Sequence, residues 1–329
     1  MAGRKRKKAT ADTDQVGRRL PISNEFNVPC SVDRLSRYIK SVKLDSVEEV
    51  RTQFDSLIEP CWVFRGQANA RWSLTTSLER AATWRHLPID HAESQLISAF
   101  KSQAHLYEAD VPPLENDLDW VALMQHHGCP TRLLDFTRSP YIALYFALER
   151  AEANRSCAVW AVNGNACNER AINRIQSLQK WTKEQVFDEQ DLAEGNVAGK
   201  LNSTPWFRNA FLSNLFPMIC TVQPARHNHR MATQQGCFLC PGALSNINGF
   251  ESNFLQQLIM GPYSNYVFPV WNPPQILKFT IPGELRGPII RELKRMNISR
   301  ASLFPGLDGY ATSLGLELDI SQTSHPKSV

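Results

Sequence analysis

The stretch HHGCPTRLLDFTRSPYIALYFALE, residues 126–149, sets polar punctuation directly against an almost wholly apolar run. Ser139 and Pro140 mark a helix start, a capping hydroxyl followed by proline at the first helical position. The run from Tyr141 to Leu148 has no polar face, so the spacing predicts a helix in the middle of a fold rather than on its surface. Upstream, Gly128 and Cys129-Pro130 end a helix, and Arg132 to Phe136 reads as a short strand. A strand, two turn hydroxyls (Thr137 and Ser139) and the positive end of a buried helix together suit an anion. Plain capping by Ser139 accounts for the same residues, and is the commoner use of such a turn. His126 and His127 close the preceding helix, where a cation is favourable, and either one caps carbonyls or reaches a ligand.

Working outward, Ser31 stands where a cap would before VDRLSRYIKSV, whose Val32, Leu35, Ile39 and Val42 follow helical spacing. CWVFRGQ is strand-like and ends near Gly66. Asp90 and Asp117 are placed to cap helices over His91–Tyr107 and Leu118–His127. CAVWAVN (157–163), 219–222, 236–239 and QILKFTI (275–281) read as strands, and Gly283–Met296 as an amphipathic helix. Residues 167–215 look helical and polar, an insertion or peripheral lobe, and LFPGLDGYATSLGLEL closes the domain. This mixed order of elements predicts an α+β fold.

The 329 residues are enough to bury roughly three quarters of the surface of the unfolded chain, so neither metal nor disulfide is needed for folding. The whole chain carries +4, and residues 1–19 hold seven basic side chains against two acidic ones. The body is therefore close to neutral. We read residues 1–25 as a disordered basic tail, 26–320 as the domain and 321–329 as a flexible end. The tail, basic from Arg4 to Arg19, is a solubilising arm with a weak, salt-screened attraction to nucleic acid as the sharper alternative. A charged N-terminus without an apolar core, and no run of 18 apolar residues, point to a cytoplasmic protein without a membrane partner. The eight Cys are then expected to be reduced.

Arg65 sits in a largely apolar strand, where a guanidinium is costly unless it meets a carboxylate such as Asp135 or a ligand phosphate. A polar turn, ATQQG, leads into Cys237-Phe-Leu-Cys240. With His227 and His229 upstream this resembles a zinc set, but alternate strand positions face opposite sides, and no metal is expected. Signatures of P-loops, nucleophile elbows, zincins and dinucleotide-binding turns are missing.

These residues resemble the FRG domain family through FRGQ at 64–67, QHHGCPTRLLDFTRSPYIALYFA at 125–147, QQGCF at 234–238 and ASLFPGLDGYATSL at 301–314. That family's pattern is similar to the ADP-ribosyltransferase fold, so the resemblance implies a split, mixed β-sheet with flanking helices that grips NAD in a cleft. It implies catalytic roles for Arg65 on the phosphates, Thr137 at the turn, and Gln235 (or its neighbour Gln234) on the ribose. Gln67, His126, His127, Arg132 and Ser139 would contact ligand, and Asp135 and Asp308 would support them. Tyr141 or Tyr145 would face nicotinamide or, more simply, pack in the core. The family fold places Glu where Gln235 stands, and losing a charge in a dry site costs about 10²–10³ in rate. The expected function is NAD-dependent ADP-ribosyl transfer or NAD cleavage, as in a microbial defence or toxin effector. The alternatives are a non-catalytic module binding a nucleotide or nucleic acid, and an Arg65–Asp135 pair that is purely structural.

Overall fold

The computed structural model describes residues 39–152, 154–182, 200, 202, 204–244, 254, 257–258 and 275–322. The basic tail, Cys30, residues 32–38 of the helix expected over 32–42, and residues 323–329 of the C-terminal end fall outside these residues. A seven-stranded sheet carries the fold, in the order β1-β7-β4-β2-β3-β6-β5. Its strands are β1 (Lys40–Lys43), β2 (Trp62–Gln67), β3 (Leu134–Thr137), β4 (Cys157–Asn163), β5 (Ile219–Val222), β6 (Gly236–Pro241) and β7 (Ile276–Ile281). Only β1 and β7 run parallel; every other neighbouring pair is antiparallel. The sheet is mixed and the fold α+β, as the order of elements predicts.

Residues 40–43, expected to end a helix, form the edge strand instead. Val42 stands opposite Phe279 of β7, a pairing with no local signature. The helices are α1 (Val47–Asp55), α2 (Ser77–Arg85), α3 (Ile89–Gln103), α4 (Asp117–His126), α5 (Pro140–Glu149), α6 (Gly164–Thr182), α7 (Thr204–Phe207), α8 (His229–Thr233), α9 (Arg286–Arg295), α10 (Arg300–Leu303) and α11 (Leu307–Gln322). None of the described helices is long and apolar enough to cross a membrane.

α5 is the buried helix that its composition demands. Ser139 Oγ accepts from Ile142 N, Pro140 opens the first turn, and Ile142, Ala143, Leu144, Tyr145, Ala147 and Leu148 are all buried. It lies on β2 so closely that a Cβ on Gly66 would come within 2.0 Å of Ala143 O and 2.5 Å of Ala147 N. α4 ends as the sequence predicts: Gly128 has φ +80°, its N–H reaches Gln125 O, and Cys129 N–H reaches Met124 O. That paired bonding is the Schellman stop, which needs a residue tolerant of positive φ. By contrast Asp90 and Asp117 do not cap. The helices start two residues and one residue earlier, behind Pro88 and Asn116, neither of which offers a side-chain cap.

One core cluster joins Phe64, Val159, Ala161 and Phe279 of the sheet to α5, α1 and α9. A second holds Val63, Leu134, Phe136, Trp160 and Leu239. A third packs Val121 of α4 and Leu133 against Phe238, Cys240 and Val222, together with Ile175 of α6 and Phe207 and Phe211. The described parts of 167–215, expected as an insertion or peripheral lobe, therefore close one end of the sheet. Their polar sequence hid a few wholly buried aromatic anchors.

Between β2 and β3 the sheet is held by one pair alone, Phe64 opposite Thr137. Beyond it the strands diverge. Arg65 enters that gap, and its Nη1 donates to the main-chain oxygen of Asp135 at 2.7 Å. A side chain thus replaces the ladder bond the strands no longer make.

Candidate ligand cleft

A cleft of about 690 Å³ opens where α4, β3, β6 and α8 meet. That volume lies within the usual range of ligand pockets, roughly 300–1,000 Å³. Gln125 and His126 of α4, Asp135 and Phe136 of β3, Asn228 and Arg230 around α8, and Gln234, Gly236 and Phe238 toward β6 line it, with Asp110, Asp119, Arg226 and His227 toward its rim. At the rim Arg226 Nη1 meets Asp110 Oδ1 at 3.2 Å, an exposed pair worth little to stability.

Asp135 is the carboxylate that β3 contributes to the cleft. Its side chain remains 63% exposed, so it is open to a ligand. Gln125 Nε2 donates to Asp135 Oδ2 at 3.1 Å, and Arg65 Nη1 stands 3.9 Å from the same oxygen. Arg65 Nε is buried without a partner. Burial pushes the Arg65 pKa down; Asp135 opposes this and Arg80 adds to it. The Arg65–Asp135 pair is therefore real but loose, a main-chain bond at full strength and an ion pair at the limit of contact.

Arg230 is the second cation of the cleft. It stacks 4.4 Å above the Phe304 ring and has no carboxylate within ion-pair distance among the described residues. The residue is exposed, but partial burial lowers its pKa, opposed by Asp135 and Glu149 and helped by Arg300. Both Arg65 and Arg230 thus feel the charge of Asp135. His126 lies beside them, with Nδ1 3.2 Å from Asn228 Nδ2 and its ring edge-on to His127 at 5.0 Å. Burial, then His127, then Arg230 lower its pKa, which favours the neutral ring.

Of the residues singled out from the sequence, the cleft collects His126 and Asp135, and Arg65 braces Asp135 from behind. Gln234 lines it and Gln235 does not. Gln235 is exposed with φ +48°, and its carbonyl accepts from Arg138 N. Gln234 Nε2 donates to Leu303 O at 3.0 Å, which turns the amide inward. Thr137 is buried and saturated: its Oγ1 donates to Gln234 O at 2.7 Å and accepts from Ser139 N at 3.1 Å. It ties the β3 turn to the 234–236 turn, so the three motif segments do meet. Ser139 is occupied as the cap of α5.

The others lie elsewhere. Gln67 is buried, donating to Ser73 O and accepting from Trp160 Nε1 at 2.8 Å. Arg132, expected among the ligand contacts, is wholly buried against Glu93, because five acceptors converge there that no local pattern announces. His127 is exposed beyond the end of α4. Asp308 is exposed in the first turn of α11 and does not line the cleft, whereas Asp135 does. Tyr141 and Tyr145 donate to Asp55 Oδ1 and Glu149 Oε1, away from it. Cys237 and Cys240 face different core clusters. Sequence reasoning missed Gln125, Asn228 and Arg230. The run HNHR just upstream of the QQG turn was the one available signal for the last two.

Residues 60–156, from just before β2 to the residue before β4, match the family model of the FRG domain. No curated protein and no solved structure matches the chain.

Proposed function

From a chain that carries an FRG domain at residues 60–156, we propose that the cleft binds NAD or a related nucleotide and cleaves it at the nicotinamide–ribose bond. One observation supports this reading: two guanidinium groups, Arg65 behind the cleft and Arg230 in its lining, both feel the open carboxylate Asp135, and the pKa of each is lowered. An incoming phosphate would supply the charge they lack, and guanidinium forks suit phosphate oxygens. His126, kept neutral, would donate or accept at the ligand without adding charge.

In the chemical step the bond from C1′ of the ribose to the nicotinamide nitrogen breaks, and its electron pair leaves with nicotinamide. Positive charge then spreads over C1′ and the ring oxygen. Asp135, the open carboxylate, would stabilise that charge, the task for which the ADP-ribosyltransferase fold uses Glu. Water adds at C1′ and releases one proton, giving ADP-ribose; an acceptor side chain in place of water would make the reaction ADP-ribosyl transfer. Gln234 would offer its amide oxygen to a ribose hydroxyl.

Calorimetry with NAD, paired with an assay of free nicotinamide, tests the reading. Arg230→Ala should weaken binding, and Asp135→Asn should abolish release while NAD still binds. Absence of NAD binding to the wild type would refute it. A second reading, binding without turnover, is favoured by Gln234, which is uncharged and already committed to Leu303 O. It predicts wild-type binding with no nicotinamide released. Nucleic acid at the tail from Arg4 to Arg19 belongs to the same reading, and a salt slope that survives deletion of the tail would exclude it.

A further inference from the structure

α4 stops at Gly128, and the turn through Cys129 and Pro130 brings Thr131 back to Gln125, in the last turn of that helix. Thr131 is buried and fixed at both main-chain groups. Its N–H donates to Ser77 Oγ at 3.0 Å, and its carbonyl accepts from Leu78 N at 3.1 Å. The hydroxyl is equally constrained: Oγ1 accepts from Leu133 N at 3.3 Å and donates to Gln125 Oε1.

The Gln125 amide has one favourable orientation in this setting. Nε2 stands 3.4 Å from Leu133 O and 3.1 Å from Asp135 Oδ2. Both are acceptors, so turning the amide over would set Oε1 against a carbonyl and a carboxylate and lose both bonds. On the Asp135 side the result is asymmetric. Oδ2 takes the Gln125 bond and stands 3.9 Å from Arg65 Nη1, whereas Oδ1 accepts no hydrogen bond among the described residues. An exposed aspartate is otherwise free to turn about its side-chain torsions, and a charge-assisted bond to one oxygen restricts that freedom.

We propose that Gln125 and Thr131 are positioning residues for Asp135: the Thr131 hydroxyl sets the Gln125 amide, and the amide holds Oδ2 so that Oδ1 is presented to the ligand. The amide oxygen and both amide protons of Gln125 are spent on the protein, so its part in the reaction runs through Asp135. The clamp itself needs no ligand; only the use made of Oδ1, stabilising charge at C1′, rests on the proposed cleavage of NAD.

Two measurements keep the clamp and the cleavage apart. In protein labelled on glutamine nitrogen for NMR, Gln125→Met identifies the Gln125 amide signals by their loss. Asp135→Asn should shift those signals with no NAD present, and so should Thr131→Val, with Thr131→Ser restoring the wild-type positions. With NAD, Gln125→Met and Thr131→Val should each lower kcat for nicotinamide release at least about tenfold with KM within about twofold, and Thr131→Ser should recover it. Should Thr131→Val unfold, Gln125→Met, at a half-buried position, carries the kinetic test alone. Amide signals indifferent to Asp135→Asn would show that the clamp does not exist. A wild-type kcat in Gln125→Met, or a rise in KM alone, would end the positioning role. If the signals respond but the wild type releases no nicotinamide, the cleavage of NAD is what fails and the clamp stands.

Discussion

Arg132 offers the sharpest separation between a structural and a ligand-binding arginine. Its side chain has no exposed surface, and Glu93 is only 6% exposed. All five guanidinium protons have acceptors. Nε donates to Glu93 Oε1 at 2.7 Å, and Nη2 to Glu93 Oε2 and to Asn214 Oδ1. The two protons on Nη1 go to Phe211 O at 2.7 Å and Pro241 O at 3.0 Å. Burial opposes the charge, but the attraction and hydrogen bonds of Glu93 outweigh it and raise the pKa. This one residue therefore pins α3, the turn after the 208–212 segment, and the end of β6 to each other.

Arg132→Met keeps most of the volume and removes every donor. The stranded Glu93 carboxylate should cost about 3–5 kcal/mol, and each orphaned buried carbonyl about 1–3 kcal/mol. Relaxation recovers part of this, so a net loss of at least about 4 kcal/mol is expected, a large share of the roughly 5–15 kcal/mol of a folded domain. Urea unfolding followed by circular dichroism measures it. Adding Glu93→Leu should recover the carboxylate's share but not the carbonyls', leaving the double variant between the single variant and the wild type. If Arg132→Met unfolds at the wild-type midpoint and instead weakens a ligand, the residue is a binding contact and the structural argument fails.

Three further outcomes follow from the geometry. Gly66→Ala should cost about 2–3 kcal/mol or more, because the new methyl collides with the α5 backbone; an unchanged unfolding midpoint would mean that β2 and α5 are not so close. His126 should titrate below its usual 6.5, so stability falls as pH drops through 6.5 and levels off below the folded-state pKa. Arg230→Ala should raise that pKa in an NMR titration, and no change would separate Arg230 from His126. Burial pushes the Cys157, Cys167 and Cys237 thiols up to about 12, so the folded protein at pH 8 should leave them unlabelled by a disulfide reagent; fast labelling mapped to these three would show an open core.

What was legible in the sequence was local. The Ser139 cap, the Gly128 stop, the all-apolar α5 and the strand Trp62–Gln67 each depend on residues within a few positions, and each stands where the pattern put it. What was misread depended on distance along the chain. Lys40–Lys43 is a strand only because β7 lies beside it. Arg132 is structural only because Glu93, Phe211 and Pro241 reach it from 39, 79 and 109 residues away.

The Phe-Arg-Gly motif shows how three adjacent residues are constrained by unrelated causes. Phe64 is buried in the core beneath α5 and makes the only pair between β2 and β3. Gly66 allows the helix backbone to approach the strand. Arg65 lies between them at the point where the strands part, and it spends one proton on the missing ladder bond. Arg132 differs from it in one countable respect. Five acceptors saturate Arg132, whereas Arg65 has one full bond, a stretched ion pair and a buried Nε without a partner. A saturated guanidinium can only hold a fold together. An unsaturated one, set behind the open carboxylate of Asp135, still has a donor to give, and the ligand role proposed for Arg65 rests on that difference.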